Sequence, residues 1–179
     1  MMKKLMQMDG WILLWLQENI RTPILTKFFT FITKLGNVGF VWIFICIVML
    51  FQKKNRKTGI MGICAILCSF GVNNLILKNL VDRDRPYEVL NELKILIERQ
   101  PDSSFPSGHA ANSLASSIVF FKLFEKKKSK YGILTAGLIM ALSRVYVGVH
   151  YLSDVLVGIT VGTISGLSVC KFAKKKEKG

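Results

Sequence analysis

The sequence predicts an all-α fold, a polytopic transmembrane helical bundle of about five spans with interfacial amphipathic helices at its N-terminus. Three observations predict it. The chain of 179 residues is 51% hydrophobic, with a mean hydropathy of +0.39. Apolar runs recur at the length a bilayer demands, about 20 residues. The formal net charge of +14, from 25 Lys+Arg against 11 Asp+Glu, is gathered in blocks between those runs. So much apolar surface beside so much charge excludes intrinsic disorder. It also weighs against a nucleic-acid binder, which would use the basic excess without needing the apolar runs. The length accommodates one membrane-embedded domain, 1–179, with N-terminal helices over 1–34, the bundle over 35–170 and a basic tail over 171–179.

The first apolar stretch, Trp11–Leu16, is too short to span, and no small-residue cleavage site follows it, so a signal peptide is not expected. Gln17, Glu18, Asn19 and Arg21 then interrupt any span beginning at Trp11. Trp11 and Trp15 suit anchors at a membrane–water interface. Residues 22–35 predict an amphipathic helix, with Thr22 as its cap and Pro23 in its first turn. Ile24, Leu25, Phe28, Phe29, Phe31, Ile32 and Leu35 fall largely on one side of it. These helices are expected to lie on the outer leaflet. A sixth, irregular span through 1–34 is the alternative, and it would put the N-terminus inside.

The five expected spans follow. Leu35–Phe51 is 17 residues without a charge, and Thr58–Leu77 is 20 more. Ser103–Phe121 is 19 residues with His109 as its only ionisable side chain. Tyr131–Val149 is interrupted only by Arg144, and Tyr151–Cys170 only by Asp154. Cys46, Cys64, Cys68 and Cys170 lie inside these runs with no Cys-x-x-Cys, so they read as small buried hydrophobes rather than a metal or disulfide framework. Gly158, Gly162 and Gly166 are spaced by four and predict close helix packing, within the bundle or between protomers.

The charge blocks give the orientation. Lys53, Lys54, Arg56 and Lys57 carry +4 between the first two spans. Lys122, Lys126, Lys127, Lys128 and Lys130 against Glu125 carry +4 between the third and fourth, and the tail after the fifth carries +4 again. Basic loops stay in the cytoplasm, so all three mark one inner face and the C-terminus is cytoplasmic. Residues 78–102, with five bases and six acids, and the turn at 144–150 then lie outside.

Ionisable residues at span ends are costly and point to function. Here they gather at the outer face: Lys78, Arg85, His109, Arg144, His150 and Asp154, which include both histidines of the chain. Three fixed cations and two imidazoles at one depth imply an anionic ligand, and phosphate suits arginine's bidentate donors and lysine's point charge. In Pro106–Ser107–Gly108–His109, proline and glycine suit a turn opening a helix whose free N–H groups bind phosphate oxygens; Ser107 adds a hydroxyl and Gly108 lets the backbone approach closely. His150 and Asp154 are four apart and share a helix face. A carboxylate on the second ring nitrogen fixes the tautomer, making His150 a nucleophile toward phosphorus, with His109 as the general acid. Arg83, Asp82 and Asp84 read as a solvated loop, and Ser143 as packing. Residues 87–100, carrying Lys94 and Arg99, could form a short amphipathic helix over the site. A transporter would carry polar residues through the whole bilayer depth, whereas these cluster at one end.

Lys78-x6-Arg85-Pro86, Pro106-Ser107-Gly108-His109 and Ser143-Arg144-x5-His150-x3-Asp154 together resemble the three-part motif of the type 2 phosphatidic acid phosphatase superfamily, which includes lipid phosphate phosphatases and is kin to vanadium haloperoxidases. The resemblance implies a hydrolase in which Lys78, Arg85, Arg144, Ser107 and Gly108 bind the phosphoryl group. His150 would form a phosphohistidine with Asp154 orienting it, while His109 acts as acid and then as base. It implies no cofactor and no metal, because the three cations take the part magnesium plays elsewhere. It implies a lipid phosphate drawn from the outer leaflet of a bacterial plasma membrane. Undecaprenyl diphosphate is the first choice, followed by phosphatidylglycerophosphate, phosphatidic acid and a lipid A phosphate. Many membrane members have six spans, and this chain departs from them at residues 1–34.

Overall fold

The computed structural model describes residues 2–176, and every regular element among them is helical. The order is α1 (Met2–Asn19), α2 (Pro23–Leu35), α3 (Phe40–Leu50), α4 (Arg56–Phe70), α5 (Lys78–Val81), α6 (Pro86–Val89), α7 (Gly108–Leu123), α8 (Lys127–Tyr146) and α9 (Leu152–Lys176). A 3₁₀ turn, Asn37–Gly39, joins α2 to α3, and a π-helical stretch, Gly71–Leu77, joins α4 to α5. Residues 177–179 of the expected basic tail lie outside the described residues.

Helix α2 starts where its sequence signals place it. Thr22 is extended, its hydroxyl accepts from the Leu25 N–H at 3.3 Å, and Pro23 occupies the first turn, where a missing N–H costs nothing. The first expected span does not begin at Leu35. The chain bends by 54° between α2 and α3, and Gly39 takes the left-handed φ of +70° that glycine adopts without strain. Gly36 is pressed onto the site at this bend: a Cβ there would stand 2.9 Å from Met140 Sδ and 3.0 Å from His109 Cδ2.

Two helical runs, Arg56–Val89 and Leu152–Lys175, are long and apolar enough to cross a bilayer, and α2 with α3 makes a third if the bent pair is one span. The protein is thus a helical membrane protein. Helix α7, at 16 residues, would be about 24 Å long. It needs no apolar exterior, because α4, α8 and α9 pack around it. Its buried residues are small or weakly polar, among them Ala110, Ala111, Ala115, Ser113, Ser116 and Ser117. Such a helix has its neighbours, not lipid, as its solvent.

The glycines of α9 face α7 at short range. A Cβ on Gly158 would stand 2.5 Å from the Ser107 carbonyl oxygen, and one on Gly166 2.7 Å from that of Ala115. Their spacing is spent inside the bundle, pulling α9 against the start of α7. Of the cysteines, Cys46 and Cys170 are buried as expected, whereas Cys64 and Cys68 are exposed on the free face of α4 beside Ile60 and Leu67. A thiol is apolar enough for that face, so hydrophobicity did not imply burial in protein.

Residues 87–100 do not form the covering helix. Only one turn, α6, is helical, and the rest is an irregular strap. Its backbone groups are used elsewhere: Lys94 N–H donates to the Gln17 side chain at 2.7 Å, Arg21 donates to the Lys94 carbonyl at 2.5 Å, and Leu96 N–H donates to the Val147 carbonyl at 3.1 Å. The Tyr87 hydroxyl closes the strap onto the Gln100 backbone at 3.0–3.1 Å. Peptide groups committed outward cannot also make helical bonds.

Candidate active site

One cavity of about 430 Å³ opens at the end of the bundle where α5, α7 and the α8–α9 turn meet. Lys78, Arg85, Gly108, His109, Arg144 and His150 all line it. Their placement follows from local structure. The π-helical stretch ahead of Lys78 re-aims one turn, as such bulges do at functional sites. It puts Asn74 on the cavity wall and Asn73 behind it, where Asn73 Nδ2 donates to the Pro106 carbonyl at 3.3 Å.

Arg85 is held before any ligand arrives. Its Nε donates to the Asp102 carbonyl at 2.7 Å and its Nη1 to the Val149 carbonyl at 2.9 Å. Arg144 is almost wholly buried, and its Nη1 donates to the Thr33 hydroxyl at 2.6 Å while its Nε is unpartnered. An unpaired buried guanidinium N–H is expensive and aims at a missing acceptor. Asp102, from the loop before α7, meets two of the cations: Oδ1 accepts from Arg85 Nη2 at 2.7 Å and Oδ2 pairs with Lys78. Burial would raise its carboxyl, but Lys78 and Arg85 outweigh that and hold it down at about 2.

His150 sits in the turn before α9 with Nε2 3.5 Å from Arg85 Nη1 and Nδ1 3.6 Å from Asp154 Oδ2. Burial pushes its imidazole down to about 4; Arg144 and Arg85 act in the same direction and Asp154 opposes them. The ring is therefore neutral near pH 7, with a lone pair to offer. Asp154, fully buried, is fixed on both oxygens: Oδ2 accepts from the Ser104 hydroxyl at 2.5 Å and the Tyr151 N–H at 2.9 Å, and Oδ1 from Arg83 Nη1 at 2.6 Å. His109 Nε2 lies 3.2 Å from Asn37 Oδ1 across the cavity mouth.

Of the residues singled out in the sequence, six share the cavity, and two stand behind it. Ser107 caps α7, its hydroxyl accepting from the Ala110 N–H at 3.4 Å and its own N–H donating to the Asp154 carbonyl at 3.1 Å. It is fully buried and off the cavity wall. Asp154 stands behind His150.

Sequence reading missed Arg83 and Asp9. Arg83 is no solvated loop residue. It bridges Asp154 Oδ1 and Asp9 Oδ2, the latter at 2.9 Å, donates to Ser153 Oγ at 2.8 Å, and stacks 3.9 Å above the Tyr151 ring. The one available signal was a lone acid, Asp9, at the head of an apolar run. Among the described residues no group of three His, Cys, Asp or Glu side chains could hold a metal ion.

A family model described as PAP2 superfamily matches residues 59–178, which is most of the chain and contains every residue lining the cavity except Asn37 and Gly39. The chain belongs to the PAP2 superfamily. Among its PAP2 relatives, undecaprenyl-diphosphatase BcrC of Bacillus subtilis is 31% identical over 84% of this chain and 76% of its own length. An undecaprenyl-diphosphatase of Sulfolobus acidocaldarius is 33% identical over 78% of this chain and 66% of its own. Phosphatidylglycerophosphatase B of Bacillus subtilis is 33% identical over 87% and 79%. Among solved structures, LpxE of Aquifex aeolicus superposes with a TM-score of 0.78 at 29% identity, covering 88% of this chain and 92% of that one. The PAP2-type phosphatidylglycerolphosphate phosphatase of Bacillus subtilis reaches the same TM-score at 27% identity, covering 96% and 87%. A bacterial vanadium-dependent iodoperoxidase, 21% identical with a TM-score of 0.66, shares the fold.

Proposed function

We propose that this PAP2 phosphatase hydrolyses undecaprenyl diphosphate at the outer face of a bacterial plasma membrane, through a phosphohistidine at His150. The chain is a hydrolase acting on lipid phosphates. The observation that carries the site assignment is the convergence of Lys78, Arg85, Arg144, His109 and a neutral His150 on one cavity.

In this reading Lys78, Arg85 and Arg144 hold the phosphoryl oxygens. Gly108 and His109 add N–H groups that precede the first hydrogen bond of α7. The His150 Nε2 lone pair attacks phosphorus, the bond to the leaving oxygen breaks, and His109 gives that oxygen its proton. Positive charge develops on the His150 ring and is met by Asp154 at Nδ1. Water then attacks the phosphohistidine, His109 takes its proton, and the N–P electron pair returns to Nε2. Ser107 serves by fixing the start of α7 on Asp154, and the three cations supply the charge neutralisation that makes a metal unnecessary.

The charge blocks support five spans with N-terminal interfacial helices, a cytoplasmic C-terminus and the site facing outward, where substrate arrives from the outer leaflet. Two relatives bearing the undecaprenyl-diphosphatase name support the substrate. Phosphatidylglycerophosphate is the second reading, favoured by the relative and the solved structure with that activity in their names. The test is phosphate release by purified protein from undecaprenyl diphosphate, phosphatidylglycerophosphate, phosphatidic acid and lipid A, with EDTA present. Fastest turnover of the prenyl diphosphate, unaffected by EDTA, is expected. Preference for another lipid overturns the substrate, and loss of activity in EDTA overturns the metal-free chemistry.

A further inference from the structure

The cavity already contains an anion, and it is the protein's own. Asp102 places one carboxylate oxygen on Arg85 and the other on Lys78, the geometry a phosphoryl group would adopt on the same two cations. Its side chain is 47% exposed and stands on the wall of the cavity. The carboxylate is not the only group that positions Arg85. The Asp102 and Val149 carbonyls do so too, through Nε and Nη1.

We propose that Asp102 is a specificity-determining residue whose carboxylate occupies the phosphoryl site on Lys78 and Arg85 until a lipid phosphate displaces it. This rests on the reading of Lys78 and Arg85 as phosphate ligands. An anchored lipid brings its phosphate to the site at high local concentration and adds contacts outside the cavity, so it displaces Asp102. Free orthophosphate has only its charge to offer and loses the competition. The residue thereby lets the product go and keeps soluble phosphates out. Arg144, whose Nε has no partner, remains as the cation that first senses an incoming phosphate.

Removing the carboxylate should therefore strengthen phosphate binding. In Asp102→Asn the inhibition constant for orthophosphate against lipid hydrolysis is expected to fall about tenfold or more, the scale of one charge removed a few ångströms from an anion in a partly screened site. Asp102→Glu, which retains the charge, should stay within about threefold of the parent. Glu98→Gln, which removes a charge from the strap without touching Lys78 or Arg85, should change nothing. An unchanged or raised constant in Asp102→Asn overturns the proposal, as does an equal fall in Glu98→Gln. Equilibrium dialysis of radiolabelled orthophosphate against the same full-length proteins in detergent reads Asp102 without any turnover. Failure of the phosphatase assignment would appear separately, as lipid hydrolysis absent from the parent protein.

Discussion

Arg83→Met removes one side chain and strands two carboxylates. Arg83 is 12% exposed and, among the described residues, is the cation that pairs with both Asp9 and Asp154, whose side chains are 5% and 0% exposed. Breaking a buried ion pair from one side typically costs about 3–5 kcal/mol, because the partner's charge stays buried. For a chain of this size each kcal/mol moves the melting temperature by about 2–4 °C, so a drop of roughly 10 °C in detergent is expected. Activity should fall as well, and in kcat rather than KM. The phosphate cations are untouched, whereas Asp154 loses its 2.6 Å anchor on Oδ1, and a misplaced orienting group costs up to about 10²-fold. Adding Asp9→Leu to Arg83→Met should recover part of the lost stability, since it removes one of the stranded charges. Thermal unfolding and steady-state phosphate release on the parent, both single variants and the double variant complete the cycle. An Arg83→Met protein that melts within 2 °C of the parent and turns over at the parent rate would refute the reasoning.

His150→Asn should abolish phosphate release while the protein still inserts and melts near the parent temperature; retained turnover sinks the phosphohistidine. Asp154→Asn, which keeps the shape and loses the charge behind the ring, should lower kcat by about 10²–10⁴-fold, read in the same assay. Because burial holds the folded His150 at about 4, below its ordinary 6.5, loss of the nucleophile to protonation should lower kcat/KM only as pH nears 4. Between pH 6.5 and 4 an unfolded chain holds more protons at this residue than the folded one, so its contribution to stability is lost as pH falls through that window. Gly158→Leu should prevent α9 from closing on α7 and yield little folded protein by size-exclusion chromatography, because even a Cβ there would stand 2.5 Å from the Ser107 carbonyl oxygen.

What the sequence disclosed and what it concealed divide by the range of the interaction. The Thr22–Pro23 helix start and the closeness of His150 to Asp154 are local, and both reappear in the structure, although His150 stands in the turn before α9 rather than on a helix face shared with Asp154. The bend between α2 and α3 was hidden because both flanks are apolar and only Gly36 and Gly39 mark it. The strap over 87–100 was hidden because its backbone bonds to Gln17, Arg21 and Val147, dozens of residues away. Arg83 was discounted for its company, since Asp82 and Asp84 beside it suggested a solvated cluster. Its true partners, Asp9 and Asp154, are 74 and 71 residues distant. At Ser107 the motif marks a hydroxyl near phosphate, and the structure also uses that hydroxyl as the acceptor that caps α7.

The charges at this end of the bundle separate into two clusters of opposite net sign, and the separation suits the direction in which charge moves in the proposed phosphoryl transfer. In front of His150 stand Lys78, Arg85 and Arg144 with Asp102 among them. Once a phosphate has displaced that carboxylate, the front presents three positive charges to an anion whose own charge spreads over its oxygens in the transition state. Behind His150 stand Asp154 and Asp9 with Arg83 between them, formally one negative charge in excess. That excess lies on the side of the ring where positive charge develops as Nε2 bonds to phosphorus. Arg83 offsets part of the rear cluster's negative charge, while burial first and then Arg144 and Arg85 lower the affinity of His150 for protons. Interchanging the clusters would place carboxylates against phosphate and cations against the imidazolium-like ring. In the proposed mechanism, the order of charges from Asp9 and Asp154 behind His150 to Lys78 in front of it is what phosphoryl transfer asks for, and a net charge of +14 cannot reveal it.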